Sequence, residues 1–137
     1  MRATHLIASS LLLTLAALPA TASEGTTLDV EDAAIARGVE EREPVDAGTD
    51  FPADVGELFC FTRITGGSGD AETSVVHVWR RGEEEVARVR LPVRGASWRT
   101  WSRKRVLPSW TGEWTVDVED TAGNVLETLS FTIGTPQ

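Results

Sequence analysis

Between residues 113 and 119 apolar and polar positions alternate strictly, with Trp114, Val116 and Val118 on one side and Glu113, Thr115, Asp117 and Glu119 on the other. A period of two predicts a half-buried strand. Residues 120–124 supply a turn, with Gly123 available for positive φ. The alternation then resumes, with Val125, Glu127, Leu129, Phe131 and Ile133 set against Leu126, Thr128, Ser130 and Thr132. The two segments are expected to pair as a hairpin. Upstream, residues 58–65, 73–80, 85–91 and 97–103 read as four further strands, each bounded by residues with turn chemistry such as Gly66, Gly67, Gly82, Pro92, Gly95, Pro108 and Gly112. Short strands at this spacing predict an all-β fold, a small antiparallel immunoglobulin-like β-sandwich or barrel.

The pattern changes near the start. Asp29 can cap a short helix whose Val30, Ala33 and Ala34 share a face, with Asp32 three residues on and Gly38 as a stop. Isolated helices below about 12 residues are marginal in water, so this one must dock or fray. Pro44 makes the following stretch extended, and residues 48–52 form a loop leading to the first strand.

Arg2 and the apolar run over residues 6–18 form a different kind of segment. The run is shorter than the roughly 20 apolar residues that span a bilayer, and Pro19 breaks it. Ala20, Thr21 and Ala22 place small residues at a peptidase site, so the segment reads as a signal peptide cleaved after Ala22. The expected organisation is a signal peptide (1–22), an acidic N-terminal segment with the short helix (23–50) and a β-sandwich domain (51–137). The mature form is expected to be secreted or periplasmic, with no membrane span.

Composition sharpens this picture in two ways. The 137 residues include one Cys and two His, too few for an intrachain disulfide or a closed zinc site, and no cofactor is expected. Lys+Arg 13 against Asp+Glu 21 gives a net charge of −8, unevenly placed. Eleven acids and only Arg37 and Arg42 lie within residues 23–59, whereas nine bases face Glu83, Glu84 and Glu85 within residues 80–105. An acidic, exported chain is a poor fit to nucleic acid, whose backbone demands an unmasked basic surface.

An ordered series of short pieces carries a resemblance. Gly38-Val39-Glu40-Glu41-Arg42-Glu43-Pro44, Phe51, Leu58-Phe59-Cys60-Phe61-Thr62, Val76-His77-Val78-Trp79, Trp98-Arg99-Thr100-Trp101-Ser102-Arg103-Lys104, Thr111-Gly112-Glu113-Trp114-Thr115-Val116 and Gly123-Asn124-Val125-Leu126 with Phe131 resemble the bacterial domain-of-unknown-function family 2914. The resemblance runs over about residues 28–133. It implies a small β domain of bacterial, often envelope, proteins and brings no activity with it.

Candidate chemistry is sparse. His77 is the only histidine after the leader, and Ser68, Ser74 or Ser102 could stand beside it as a nucleophile, but none lies in a Gly-x-Ser-x-Gly elbow. A strand histidine bonded to a neighbour is the preferred reading. Cys60 between Phe59 and Phe61 reads as a buried small hydrophobe. Asp117, Glu119 and Asp120 lack the alternating ligand loop of an EF-hand, and Gly66-Gly67-Ser68-Gly69 has neither the lysine nor the helix of a phosphate cradle. No metal ligand is assigned.

The segment from Trp98 to Arg105 is the strongest candidate surface. Period two puts Trp98, Thr100 and Ser102 on one face and Arg99, Trp101, Arg103 and Arg105 on the other. Guanidinium forks suit carboxylates and phosphates, and flat indoles suit sugar faces. Arg99, Trp101 and Arg103, joined by Trp110 from the following loop, are therefore the expected ligand-binding residues. The acidic leader can also dock on this face, Asp29, Glu31 and Asp32 or Glu40, Glu41 and Glu43 meeting Arg99, Arg103 or Arg105. Exposed pairs contribute only about 0 to 1 kcal/mol each, so docking requires apolar burial from Val30, Ile35 or Val39 as well. The functional expectation is a non-catalytic binding or accessory module of the bacterial cell envelope, recognising an envelope polysaccharide, another anionic component or a protein. The alternative is a purely structural adaptor, with an enzyme third.

Overall fold

The computed structural model describes residues 27–69 and 73–134, so the signal-peptide and cleavage expectations lie outside the described residues. The strands are β1 (Asp29–Glu40), β2 (Glu43–Ala47), β3 (Asp50–Phe51), β4 (Glu57–Thr65), β5 (Ser74–Arg81), β6 (Glu84–Pro92), β7 (Ser97–Arg105), β8 (Gly112–Glu119) and β9 (Val125–Ile133). They form a four-stranded sheet in the order β2-β1-β4-β7 and a five-stranded sheet in the order β3-β9-β8-β5-β6. All neighbours are antiparallel except β3 and β9. The expected β8–β9 hairpin is present, its turn closed by the Asp120 carboxylate accepting from the amides of Ala122 and Asn124.

The inner faces meet in two apolar clusters. Ile35, Leu58, Cys60, Trp79, Trp114, Val116 and Phe131 belong to one, and Leu28, Ile64, Val75, Val93 and Val118 to the other. Trp79 and Trp114 present their rings to Phe131, edge-on at 6.2 Å and stacked at 6.0 Å respectively. Such pairs add roughly 0.5–1.5 kcal/mol beyond the area they bury.

The short N-terminal helix is not formed: residues 29–40 are strand β1, lying between β2 and β4. Nor does residue 50 separate a leader from a sandwich, because β1 and β2 are half of the first sheet. The physical reason is burial on both sides. Ile35 faces the interior, while its neighbour Ala36 is also completely buried but lies outside both interior clusters. A strand covered on both faces loses its alternation in sequence and mimics a helical pattern.

What covers the outer side is the chain's own β1–β2 hairpin. β1 runs with β4 from Asp29, opposite Thr65, to Ala36, opposite Phe59, and beyond that pairs only with β2. Continued straight, the tip would stand about 26 Å past the level of Asp32 and Arg63. Instead tip residue Arg42 sits over the ring of Trp98, and Glu43 pairs with Arg99, both at the Arg63 end of β7. The distal hairpin therefore doubles back over the outer face of β4 and β7. Positive φ at Glu41, Arg42 and Asp46 accompanies this reversal.

At the far end of β4, Gly66 and Gly67 carry the chain from one sheet to the other. A Cβ on Gly66 would meet the Thr27 carbonyl oxygen at 2.3 Å, and one on Gly67 would meet the Gly95 carbonyl oxygen at 2.3 Å. The glycines are thus required by close backbone packing, not by a phosphate.

Candidate functional site

Strand β7 is the edge of the first sheet, and its alternation is as expected. Thr100 and Ser102 are buried on the inner side, Arg99 and Trp101 are half-buried and Arg103 and Arg105 exposed on the outer side. The cross-strand partners on β4 extend this outer face: Arg63 lies opposite Arg99, Phe61 opposite Trp101 and Phe59 opposite Arg103. Phe61 is only 1% exposed although it belongs to neither interior cluster, so the outer face has an apolar floor of its own. Sequence reasoning missed Phe59, Phe61, Arg63 and Arg42 as members of this surface. The alternation of Phe59, Phe61 and Arg63 against Cys60 and Thr62 is the signal that could have placed the first three.

Acids from three strands meet these cations. Arg99 Nη1 stands 3.0 Å from Glu43 Oε1 on the hairpin, Arg103 Nε 3.7 Å from Glu57 Oε2, and Arg63 Nε 3.8 Å from Glu31 Oε2. Arg63 Nε also donates to Ser97 Oγ at 3.2 Å. The acidic leader thus meets the basic middle of the chain through Glu43 on Arg99, whereas Glu31 pairs with Arg63 of β4 instead. Between the hairpin tip and the sheet, Arg42, Arg63, Ser97 and Arg99 line an open cavity of about 230 Å³.

Trp110 does not join this face. Its ring lies under Lys104 Nζ, 5.0 Å from the centroid, and Lys104 has the inward parity of Thr100 and Ser102. Trp110 packs against Trp114 and the first interior cluster, and its carbonyl accepts from Trp114 Nε1 at 3.0 Å. An amphipathic indole at the rim gains more by covering Trp114 than by standing in solvent.

His77 and Ser102 do come together, but inside the protein. Trp79 Nε1 donates to Ser102 Oγ at 3.0 Å; Ser102 Oγ and His77 Nδ1 are 2.7 Å apart; His77 Nε2 and Thr62 Oγ1 are 3.1 Å apart; and Thr62 Oγ1 donates to the Thr100 carbonyl at 3.2 Å. Donor bookkeeping fixes every proton. Because the Thr62 hydroxyl hydrogen goes to Thr100, Thr62 must accept from His77 Nε2–H; Nδ1 is then an acceptor and receives the Ser102 hydroxyl. The four bonds run in one direction from β5 through β7 and β4, joining the two sheets. All members are buried, and burial lowers the His77 pKa to about 4, so the ring is neutral. The preferred sequence reading of a bonded strand histidine describes this arrangement.

The remaining candidates are engaged structurally. Asp117 pairs with Arg80 and accepts from Thr128 Oγ1 at 2.7 Å, while Glu119 lies within 4.0 Å of Arg80 and 3.5 Å of Arg88. Asp120 is held below the usual carboxylate range, foremost by the Asn124 side-chain amide. The Cys60 thiol is fully buried and pushed up by desolvation.

Residues 72–133 match the model of the family described as "Protein of unknown function (DUF2914)". No curated protein matches the sequence. Among solved structures, an immunoglobulin-like protein from Pseudomonas aeruginosa is similar, with 15% identity and a TM-score of 0.54, covering 78% of this chain and 96% of its own. A likeness at that identity speaks for the fold. Beta-glucosidase 3B from Thermotoga neapolitana in complex with glucose aligns with 80% of this chain but 16% of its own, at 16% identity and a TM-score of 0.45. An endonuclease/exonuclease/phosphatase from Beutenbergia cavernae aligns with 77% and 35%, at 16% identity and a TM-score of 0.34. Neither bears on function. Strands β5 to β9, with the second sheet's hairpins and the Trp98–Lys104 edge, thus lie in the segment that is similar to the DUF2914 model, within an immunoglobulin-like sandwich of two sheets.

Proposed function

We propose that the protein is an exported, non-catalytic binding or accessory module of the bacterial cell envelope, and that its contact surface is the outer face of β4 and β7. One observation carries this reading: Arg63, Arg99, Trp101 and Arg103 share one outward face, where Trp101 and Arg103 keep solvent access although Phe61 beside them is covered. Guanidinium forks recognise anionic groups bidentately, and an indole offers a flat face to a sugar ring, so an anionic or glycan-bearing envelope component suits it. Export is part of the proposal and is supported by the signal-peptide pattern of residues 1–22. The absence of catalysis is part of the proposal and is supported by the sealing of Ser102 and His77 within the core, where no substrate reaches them.

The test is retention of the mature chain on heparin and on lipopolysaccharide, compared with a Trp101→Ala/Arg103→Gln variant. The expected result is salt-sensitive retention that the variant loses. Absence of retention by the native chain, or equal retention by the variant, refutes the surface. The competing reading, a structural adaptor, draws support from the ion pairs that Glu43 and Glu57 make with Arg99 and Arg103. It is the reading that survives a negative result.

A further inference from the structure

The geometry points to a small-oxyanion site in the cavity between the β1–β2 hairpin tip and the sheet, built by Arg42, Arg63, Arg99 and the hydroxyl of Ser97, which takes a phosphate or sulfate group. Three guanidinium groups from three different parts of the chain line one cavity with a hydroxyl among them. Its volume of about 230 Å³ is below the roughly 300 Å³ at which pockets begin to enclose drug-sized ligands. The cavity therefore has room for an ion or the charged end group of a larger molecule.

Charge selects the ligand class further. Among the described residues the acids ion-paired with these guanidinium groups are Glu43, on Arg99, and Glu31, on Arg63 at the longer distance of 3.8 Å. No ion pair is made by Arg42 among the described residues; its guanidinium lies on the Trp98 ring, 5.4 Å from the centroid. Three positive groups thus face two carboxylates, and a tetrahedral dianion offers each fork a pair of oxygens in a way that one carboxylate does not. Glu43 Oε1, 3.0 Å from Arg99, holds the place that a ligand oxygen would take, so ligand and Glu43 compete for the same guanidinium. Since Glu43 stands at the hairpin tip, binding is coupled to how tightly that tip lies on the sheet.

This site deepens the proposed outer-face surface and rests on it for its biological role, but its residues are separable from Trp101 and Arg103. The experiment is a titration of the full mature chain with inorganic phosphate, with sulfate and with glucose 1-phosphate at matched ionic strength, read by NMR shifts of the arginine Nε–H groups and the Ser97 amide. Saturable shifts at Arg42, Arg63 and Arg99 are expected. Arg42→Gln and Arg63→Gln are each expected to weaken binding about tenfold, the value of one charge-assisted hydrogen bond at a solvent-open site. Glu43→Gln is expected to tighten it by up to about fivefold, because an exposed competing pair is removed. Shifts that are linear in added salt, or an affinity unchanged in the Arg42→Gln/Arg63→Gln double variant, overturn the site. Tighter binding of glucose 1-phosphate than of phosphate identifies an esterified group as the ligand, and equal binding identifies the free ion; both support the site. If phosphate fails while heparin retention still depends on Trp101 and Arg103, this inference falls and the surface stands. If phosphate binds and heparin does not, the reverse holds.

Discussion

Acidification should destabilise this protein through one imidazole. In the folded chain His77 accepts the Ser102 hydroxyl at Nδ1 and gives its Nε2 proton to Thr62, so protonating Nδ1 breaks the bond to Ser102 and places a charge between two sheets. Its pKa is lowered to about 4 by burial, from the ordinary 6.5. The contribution to stability is complete above pH 6.5; as pH falls the unfolded chain takes up a proton that the folded chain refuses, and the contribution is lost by the time pH passes 4. At pH 5 the loss works out at about 2 kcal/mol, a sizeable share of the 5–15 kcal/mol typical of a domain. Urea melts followed by tryptophan fluorescence at pH 7 and pH 5 should show the midpoint falling by about 1 M, given the slopes usual for small proteins. His77→Gln supplies the control: it is less stable at pH 7 because the relay is broken, but its midpoint moves less between the two pH values, and every other titrating group cancels in the comparison. A wild-type midpoint that does not move, or an equal movement in the variant, would refute both the assignment of a neutral ring and the relay drawn through it.

Other consequences can be checked with simple variants and reagents. Phe61→Ala should cost about 3 kcal/mol in urea denaturation although the side chain points away from the interior, because the folded-back hairpin covers it; a loss below about 1 kcal/mol would mean that the hairpin does not. Cys60, fully buried with its thiol pKa raised, should react with a chromogenic disulfide reagent only as fast as the chain unfolds, and labelling at the rate of a free thiol would contradict its placement. Gly67→Ala should lower the melting temperature, since its Cβ would stand 2.3 Å from the Gly95 carbonyl and overpacking of this kind costs about 1–3 kcal/mol. An unchanged melting temperature would show that the turn can move aside.

How much was legible in the sequence depended on whether an element has one wet face. Strand β8 has, and its bounds and its hairpin with β9 follow from alternation alone. So does β7, whose Arg99 and Trp101 were correctly assigned to the side opposite Thr100 and Ser102. β1 has none near its middle, where Ile35 and Ala36 are both buried, and there the period vanished and a helix was expected instead. Trp110 was misplaced for a related reason: a loop tryptophan carries no parity, so only coordinates show that it closes over Trp114. The cavity at the hairpin tip was beyond reach, because Arg42 and Arg99 are far apart in sequence and meet only through a reversal that local pattern does not encode.

The one-way bond relay through the core has an evolutionary corollary. Trp79, Ser102, His77 and Thr62 each give one proton and, the indole aside, take one, so the set behaves like a queue in which removing any member strands the neighbour behind it. Deleting the Ser102 hydroxyl leaves the Trp79 indole N–H without its acceptor and His77 Nδ1 without its donor; deleting the imidazole leaves the Ser102 proton without its acceptor, while Thr62 still donates to the Thr100 carbonyl. Drift at these positions is therefore cheap only as a simultaneous exchange for apolar residues, and homologous sequences should carry either all four polar side chains or none of the central three.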